Sequence, residues 1–220
     1  MTQGKVNHNK FDKQFISLGL VGDNIGRGLN ELGIGQGSRL VGFEIGRDST
    51  NFAEGIDRDE AYRQVLESAE ALMEGQRNWV CNLSNVASLL WYMYQSLDAE
   101  VNWAGFYTLD PLDPQQLILG PFQGRTACQT ILFSRGVCGA AATTGLTQLV
   151  PDVEKFPGHI ACDGGTRSEI VVPIMVGDKV VAVLDVDCLK EEGFGQVDRE
   201  WLEKLGNLLG REGEMWRCGS

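Results

Sequence analysis

A pair of apolar segments in the C-terminal half constrains the fold most strongly. Residues 169–175 and 179–187 are rich in Val and Ile, and Gly177-Asp178 stands between them. Two such segments around a Gly-Asp pair predict antiparallel strands joined by a tight turn. A sheet built on this hairpin needs further elements to cover its apolar face.

The residues before and after the hairpin predict helices and shorter strands. Asp57 precedes an apolar helical pattern and is followed three residues later by Glu60, which is typical of a capping box. A second helical pattern covers residues 82–98, and a closing helix is expected from Asp198. This order predicts an α+β fold, a central antiparallel sheet with helices packed on one face. Strand patterns between the helices cover residues 103–109, 116–120 and 130–133.

Length and charge limit the function classes. The 220 residues suffice for one buried core, and the net charge of −11 without a basic stripe disfavours nucleic acids and anionic membranes as partners. No apolar segment approaches the roughly 20 residues that span a bilayer, and the polar start lacks a secretory signal. We therefore expect a cytoplasmic protein. Residues 1–57 form a Gly-rich extension of unknown role, residues 58–213 the domain, and residues 214–220 a tail.

Three of the six cysteines, Cys128, Cys138 and Cys162, lie close together in sequence, each in a Gly-rich or polar context. Their spacing is not that of a metal site. Thiols of a cytosolic chain stay reduced, so catalytic or incidental roles are favoured over structural disulfides. Buried packing is the alternative for each cysteine taken alone. Together they allow a redox cycle in which one thiolate attacks and another thiol resolves the oxidised product.

Acids and aromatic residues accompany these thiols. Asp185 and Asp187 are two residues apart on a predicted strand and face the same side of the sheet, with Glu169 on the partner strand. Like charges held close raise at least one pKa, which gives a proton donor near neutrality, while the other acids can hold an ammonium group. A solvated strand end is the alternative. Trp103 and Tyr107 also point the same way, either into a pocket or into the core.

Several motifs in order closely resemble the free methionine-(R)-sulfoxide reductases, enzymes built on one GAF domain. The resemblance covers residues from about 60 to 210. It implies a GAF fold, reduction of the R epimer of free methionine sulfoxide, and thioredoxin as the electron source, and it implies no metal or organic cofactor. The motifs are NWAGFY at 102–107, LGPFQG at 119–124, GVCG at 136–139, GHIACD at 158–163, SEIVVPI at 168–174 and VLDVD at 183–187.

The resemblance also implies roles for individual residues. Cys162, in GHIACD, is expected to be the nucleophile, Cys128 the first resolving thiol, and Cys138 an auxiliary thiol that passes the disulfide outward. Exchanged roles for Cys138 and Cys162 are the main alternative. Trp103 and Tyr107 are expected to wall the pocket that receives the methyl and sulfur end of the substrate.

Weaker predictions concern the loop around Cys162. His159 is expected to make a loop hydrogen bond or, as a charged neighbour, to lower the pKa of the thiol. Gly164, Gly165 and Arg167 are expected to form a donor-rich loop around the sulfoxide oxygen. A ligand sensor and a protein-directed thiol switch are the rival functions, and a homodimer is possible by analogy with other GAF domains.

Overall fold

The computed structural model describes residues 49–159 and 163–211. These residues form four α-helices and six β-strands, with a short 3₁₀ turn at Val153–Lys155. The helices are α1 (Arg58–Met73), α2 (Trp79–Ser96), α3 (Gly136–Thr144) and α4 (Gln196–Arg211). The strands are β1 (Val101–Asp110), β2 (Asp113–Gly124), β3 (Thr130–Leu132), β4 (Gln148–Val150), β5 (Ser168–Val176) and β6 (Lys179–Cys188).

Side-chain caps set the starts of the first two helices. The Asp57 carboxylate accepts a hydrogen bond from the Glu60 backbone N–H at 2.9 Å, so the predicted cap of α1 is confirmed. Asn78 caps α2 by accepting from the Cys81 N–H at 3.0 Å. Helix α2 therefore begins three residues before the predicted position, because the cap lies ahead of the apolar pattern.

All six strands form one antiparallel sheet in the order β3-β2-β1-β6-β5-β4. The predicted hairpin is confirmed: Val176 pairs with Lys179 around the turn, and Gly177 has a φ of 60°, in the left-handed region that glycine adopts without strain. Strand β2 is longer than predicted because its main chain stays paired with β1 beyond the apolar centre. Strand β4 was not predicted, since three residues carry no periodic signal.

The sheet is covered on both faces, which corrects the prediction that the helices pack on one. Side chains of α1, α2 and α4 share a core with alternate residues of β1, β5 and β6, including Phe106, Ile170 and Leu184. The residues between them, such as Val171 and Val183, pack with α3 on the opposite face. Helix α3 escaped prediction because its nine residues are mostly Gly, Ala and Thr.

No helix within residues 49–159 and 163–211 is both long and apolar enough to cross a membrane. Residues 1–48 of the predicted extension and the predicted tail lie outside the described part of the chain, so the domain boundaries stay predictions.

Candidate active site

Three neighbouring strands bring the predicted acids and aromatic residues onto the face of the sheet that α3 covers. In the register of the sheet, Asp187 of β6 lies between Trp103 of β1 and Glu169 of β5. Two residues along β6, Asp185 lies opposite Gly105 of β1. Because side chains alternate along a strand, all of these positions share one face.

A pocket opens on this face between the sheet and the start of α3. Residues from β1, β5, β6 and α3 line it, so it is framed by regular elements rather than by loops alone. Six of the predicted site residues line this pocket together: Trp103, Tyr107, Cys138, Glu169, Asp185 and Asp187.

Stacked aromatic rings form one wall. The Trp103 ring lies 5.6 Å from that of Tyr107 and 5.3 Å from that of Phe122, centre to centre and nearly parallel. Gly105 makes room for this stack, because a Cβ there would lie 2.3 Å from the Phe122 Cβ. The Tyr107 hydroxyl donates to the backbone oxygen of Cys128 at 3.1 Å, which joins the wall to that segment. Phe122 was missed as a site residue, although the LGPFQG motif contains it.

Within the described part of the chain, two buried polar atoms of the pocket residues have no hydrogen-bond partner. They are the indole nitrogen Nε1 of Trp103, a donor, and Oδ1 of Asp185, an acceptor. Buried polar atoms are rarely left unbonded. A ligand that carries both an acceptor and a donor would satisfy them.

The three acids resist ionisation. Burial, and then the charge of Asp185, raises the pKa of Glu169 and that of Asp187 well above the usual range. Burial raises the pKa of Asp185 to about 7. Near neutral pH the cluster therefore holds protons that it can donate to a bound ligand.

Cys138 lies against this cluster from the first turn of α3. Its buried Sγ donates to Oε1 of Glu169 over 3.9 Å. Burial, and then the charges of Asp185 and Glu169, raises the pKa of the Cys138 thiol well above its usual value. Gly139 holds α3 close to the sheet, since a Cβ there would lie 2.4 Å from the backbone oxygen of Leu132.

The predicted redox cysteines differ in their state. Cys128, half-buried in the segment between β2 and β3, is disulfide-bonded. Cys138 carries a free thiol, as do Cys81 and Cys188 away from the pocket. Cys162 lies outside the described residues.

His159 also lines the pocket, with Nε2 at 3.8 Å from Oε2 of Glu169. Burial lowers the pKa of the imidazole, so the ring is neutral at neutral pH. A neutral ring does not favour a neighbouring thiolate, so the expectation of a charged neighbour is not supported.

Asp163, directly after Cys162, is held by several donors. Its carboxylate accepts from Asn102 Nδ2 at 2.9 Å and from the Gly165 N–H at 3.1 Å, and it pairs with Arg125 Nη1 at 2.9 Å. The Gly165 hydrogen bond and these partners lower the pKa of Asp163, so it stays charged. Asn102 and Asp163 were missed as separate contributors, and only their places inside the quoted motifs marked them.

Arg167 does not reach the pocket. Its guanidinium pairs with Glu154 at 2.6 Å and with Glu191 at 2.9 Å, both on the surface. The expected donor role of the Arg167 side chain at the sulfoxide oxygen is therefore wrong, because Nη1 and Nη2 are both held at surface carboxylates away from the pocket.

Comparison with known proteins identifies the family. The GAF domain family model matches residues 84–211. The free methionine-R-sulfoxide reductase of Saccharomyces cerevisiae is 55% identical over 165 residues, which are 74% of this chain and 92% of the yeast protein. The chain belongs to the free methionine-R-sulfoxide reductase family.

Two further members agree with this assignment. The Escherichia coli free methionine-R-sulfoxide reductase is 39% identical over 150 residues, 68% of this chain and 87% of that protein. The X-ray structure of free methionine-R-sulfoxide reductase from Neisseria meningitidis in complex with its substrate has a TM-score of 0.69 and 37% identity, over 77% of this chain and 98% of that one. The predicted family, GAF fold and oxidoreductase class are confirmed, while the roles of individual residues stay predictions.

Proposed function

We propose that this chain reduces free methionine-R-sulfoxide to methionine. The observation that carries the proposal is the pocket itself, in which buried acids face an aromatic stack beside a thiol. A sulfur-containing end fits the stack of Trp103 and Tyr107, where sulfur–aromatic contacts contribute roughly 0.3–1.5 kcal/mol. The family assignment supports the same substrate.

The acids explain a preference for the free amino acid. Among the described residues, the ion-pair partner of Glu169, Asp185 and Asp187 within 4 Å is His159 alone, and its ring is neutral. The ammonium group of a free amino acid can donate to these acids and stabilise the ionised form of one of them. A methionine sulfoxide inside a polypeptide has a neutral peptide nitrogen at that place and offers no such charge.

The reaction follows from thiol chemistry. The Cys162 thiolate attacks the sulfoxide, and a protonated acid of the cluster donates to the oxygen. Oxygen passes to Cys162 as a sulfenic acid, and methionine leaves as the thioether, reduced by two electrons. The Cys128 thiol then displaces water and forms a disulfide, which a thioredoxin dithiol reduces. The cytoplasm, where thioredoxin keeps thiols reduced, stays the predicted compartment.

The states of the cysteines support this division of roles. Cys128 is disulfide-bonded while Cys138 is free, as expected if Cys128 resolves with a partner other than Cys138. The raised pKa of Cys138 holds its sulfur as a neutral thiol, a poor nucleophile. Both observations favour Cys162 over Cys138 as the attacking sulfur.

Single cysteine variants test the proposal with enantiopure sulfoxide. Reduced wild type should release methionine from the R epimer and cycle with thioredoxin. Cys162→Ser should release none, whereas Cys128→Ser should release one equivalent and then stop. Cys81→Ser, a free thiol on the exposed side of α2, is the control and should match wild type.

Two outcomes would redirect the proposal. Methionine release by Cys162→Ser would move the nucleophile to Cys138. No release by folded, reduced wild type would leave the pocket as the ligand site of a sensor.

A further inference from the structure

One sulfur and two carboxylate oxygens in the pocket are grouped closely enough to hold a single cation. Cys138 Sγ, an oxygen of Glu169 and an oxygen of Asp185 all lie within 4.8 Å of one another, and all three residues are buried. They come from α3, β5 and β6, three regular elements packed on one another. The group is therefore fixed by the fold rather than by a surface loop.

One atom of this group has no hydrogen-bond partner among the described residues. Asp185 is only 5% exposed, and its Oδ1 accepts no hydrogen bond from residues 49–159 or 163–211. A buried carboxylate oxygen without a donor is unfavourable, and a metal ion satisfies it directly. Lys and Arg, which would compensate the charge otherwise, form no ion pair with Glu169 or Asp185 within residues 49–159 and 163–211.

The ligand set suits zinc better than magnesium or calcium. Thiolate sulfur is a soft ligand that Zn²⁺ accepts, whereas Mg²⁺ and Ca²⁺ prefer oxygen alone. Tetrahedral zinc with bonds of about 2.3 Å to sulfur and about 2.0 Å to oxygen places those two ligands about 3.5 Å apart. Cys138 Sγ and Glu169 Oε1 are 3.9 Å apart, so small side-chain rotations bring them to bonding positions.

We propose that the pocket binds one Zn²⁺ through Cys138, Glu169 and Asp185. On binding, the thiol proton and the protons held by the two carboxyl groups leave to the buffer, so that the sulfur coordinates as a thiolate and the acids as carboxylates. No electron is transferred. Three protein ligands leave the fourth position to water or to neutral His159, whose Nε2 lies 3.8 Å from Glu169.

The consequence for turnover rests on the proposed function. The carboxylates that would hold zinc are those that would hold the ammonium group of the sulfoxide substrate. Zinc and substrate should therefore exclude one another, which makes free zinc a competitive, reversible inhibitor of the reductase.

Metal titration of the protein with its Cys128 disulfide intact tests the site itself. Cys81→Ser forms the background, so that this exposed free thiol of α2 does not interfere. Zn²⁺ is titrated by calorimetry, and Co²⁺ is followed by its thiolate charge-transfer absorption. We expect one equivalent of each metal, with the absorption band present.

Variants identify the ligands. Cys138→Ser should abolish the charge-transfer band, and Glu169→Gln should weaken Zn²⁺ binding at least tenfold. Glu154→Gln, a surface acid paired with Arg167, is the matched control and should bind as the background does. No saturable binding, or a band that persists in Cys138→Ser, would overturn the proposal.

A displacement experiment separates this inference from the proposed function. Methionine-R-sulfoxide is added to the Co²⁺-loaded disulfide form, which lacks the reduced thiols needed for turnover. Loss of the band in proportion to added sulfoxide is expected. If the metal binds but is not displaced, the site stands and the shared-acid role fails. If the metal does not bind while the reduced enzyme turns over, the inference fails and the function stands.

Discussion

Each face of the sheet contains buried carboxylates, and their surroundings differ. On the face covered by α1, α2 and α4, Asp198 accepts from the Tyr62 hydroxyl, Arg58 Nη1 and the Gly195 N–H, each at 2.8 Å. On the face covered by α3, Oδ1 of Asp185 accepts no hydrogen bond from any described residue. A carboxylate that stabilises the packing of helices has both oxygens hydrogen-bonded. A carboxylate that binds a ligand has an unpaired acceptor when the ligand is absent, which lowers stability.

The largest effect on activity should come from replacing a carboxyl group on the face covered by α3, called here the open face. Asp185→Asn and Glu169→Gln should each lower kcat/KM by roughly 100-fold or more, because proton donation and ammonium binding are both affected. Steady-state assays with thioredoxin measure this loss. Glu154→Gln should keep wild-type activity. A decrease smaller than threefold in both pocket variants would contradict the role of the acids.

On the face covered by α1, α2 and α4, the closed face, a substitution should lower stability and leave activity unchanged. Asp198→Ala leaves Arg58 without its carboxylate partner and Tyr62 without its acceptor, so the free energy of unfolding should fall by roughly 3–5 kcal/mol. Urea denaturation measures the change. Activity at temperatures where the variant stays folded should be kept.

Its control is an exposed acid on the same helix bundle. Glu60→Gln disturbs an exposed pair with Arg63 and should change the free energy of unfolding by less than about 1 kcal/mol. Equal losses of unfolding free energy in Asp198→Ala and Glu60→Gln would show that the buried network around Asp198 stabilises the fold no more than an exposed ion pair does.

The open face should also make stability depend on pH. Acids whose folded-state pKa is raised contribute stability that is complete below about pH 4 and is lost as pH rises through the folded value, which for Asp185 is about 7. Glu169 and Asp187 act in the same direction. Stability should therefore decline between pH 5 and 8 in wild type and decline less in Asp185→Asn.

The difference in unfolding free energy between wild type and Asp185→Asn isolates the contribution of Asp185. Burial lowers the pKa of His159, which adds stability as pH rises in this window and opposes the acids. This contribution is shared by wild type and variant to first order. The free energy of unfolding of wild type and of Asp185→Asn is measured by urea denaturation at each pH. If the two curves against pH run parallel, the pKa of Asp185 is the same in the folded and unfolded states, which would contradict the prediction.

The smallest effects concern two buried tyrosines. Tyr62→Phe removes a donor to the charged Asp198 and should cost about 1.5–3 kcal/mol of unfolding free energy. Tyr107→Phe removes a donor to the neutral backbone oxygen of Cys128 and should cost about 0.5–1.5 kcal/mol. Thermal unfolding measures both losses of free energy. A larger loss in Tyr107→Phe than in Tyr62→Phe would contradict the prediction that the closed face contributes more to stability.

Periodic patterns predicted the parts of the fold that they can encode. The hairpin around Gly177, the cap at Asp57 and the shared face of Asp185 and Asp187 follow from local rules and are present. Helix α3 and strand β4 are too short or too uniform to leave a pattern, so only tertiary packing defines them.

The site was predictable mainly through its motifs. Side-chain alternation placed the acids on one face, but it does not give the separation between Cys138 on α3 and Glu169 on β5, which depends on how closely the helix packs. The support of Asp163 by Asn102 and Arg125 joins distant segments and leaves no local signal. The error on Arg167 has the same origin, because its surface partners, Glu154 in the 3₁₀ turn and Glu191 after β6, are distant from it in sequence.

Gly105 restricts how this protein can change. A methyl group there would meet not only the Phe122 side chain but also its Cα, at 2.6 Å, so shortening residue 122 gives no relief. Position 105, in the middle of the ring stack, therefore cannot be substituted to widen or narrow the substrate range. Only the aromatic residues themselves can vary. Laboratory libraries aimed at new sulfoxides should keep Gly105 and diversify positions 103, 107 and 122.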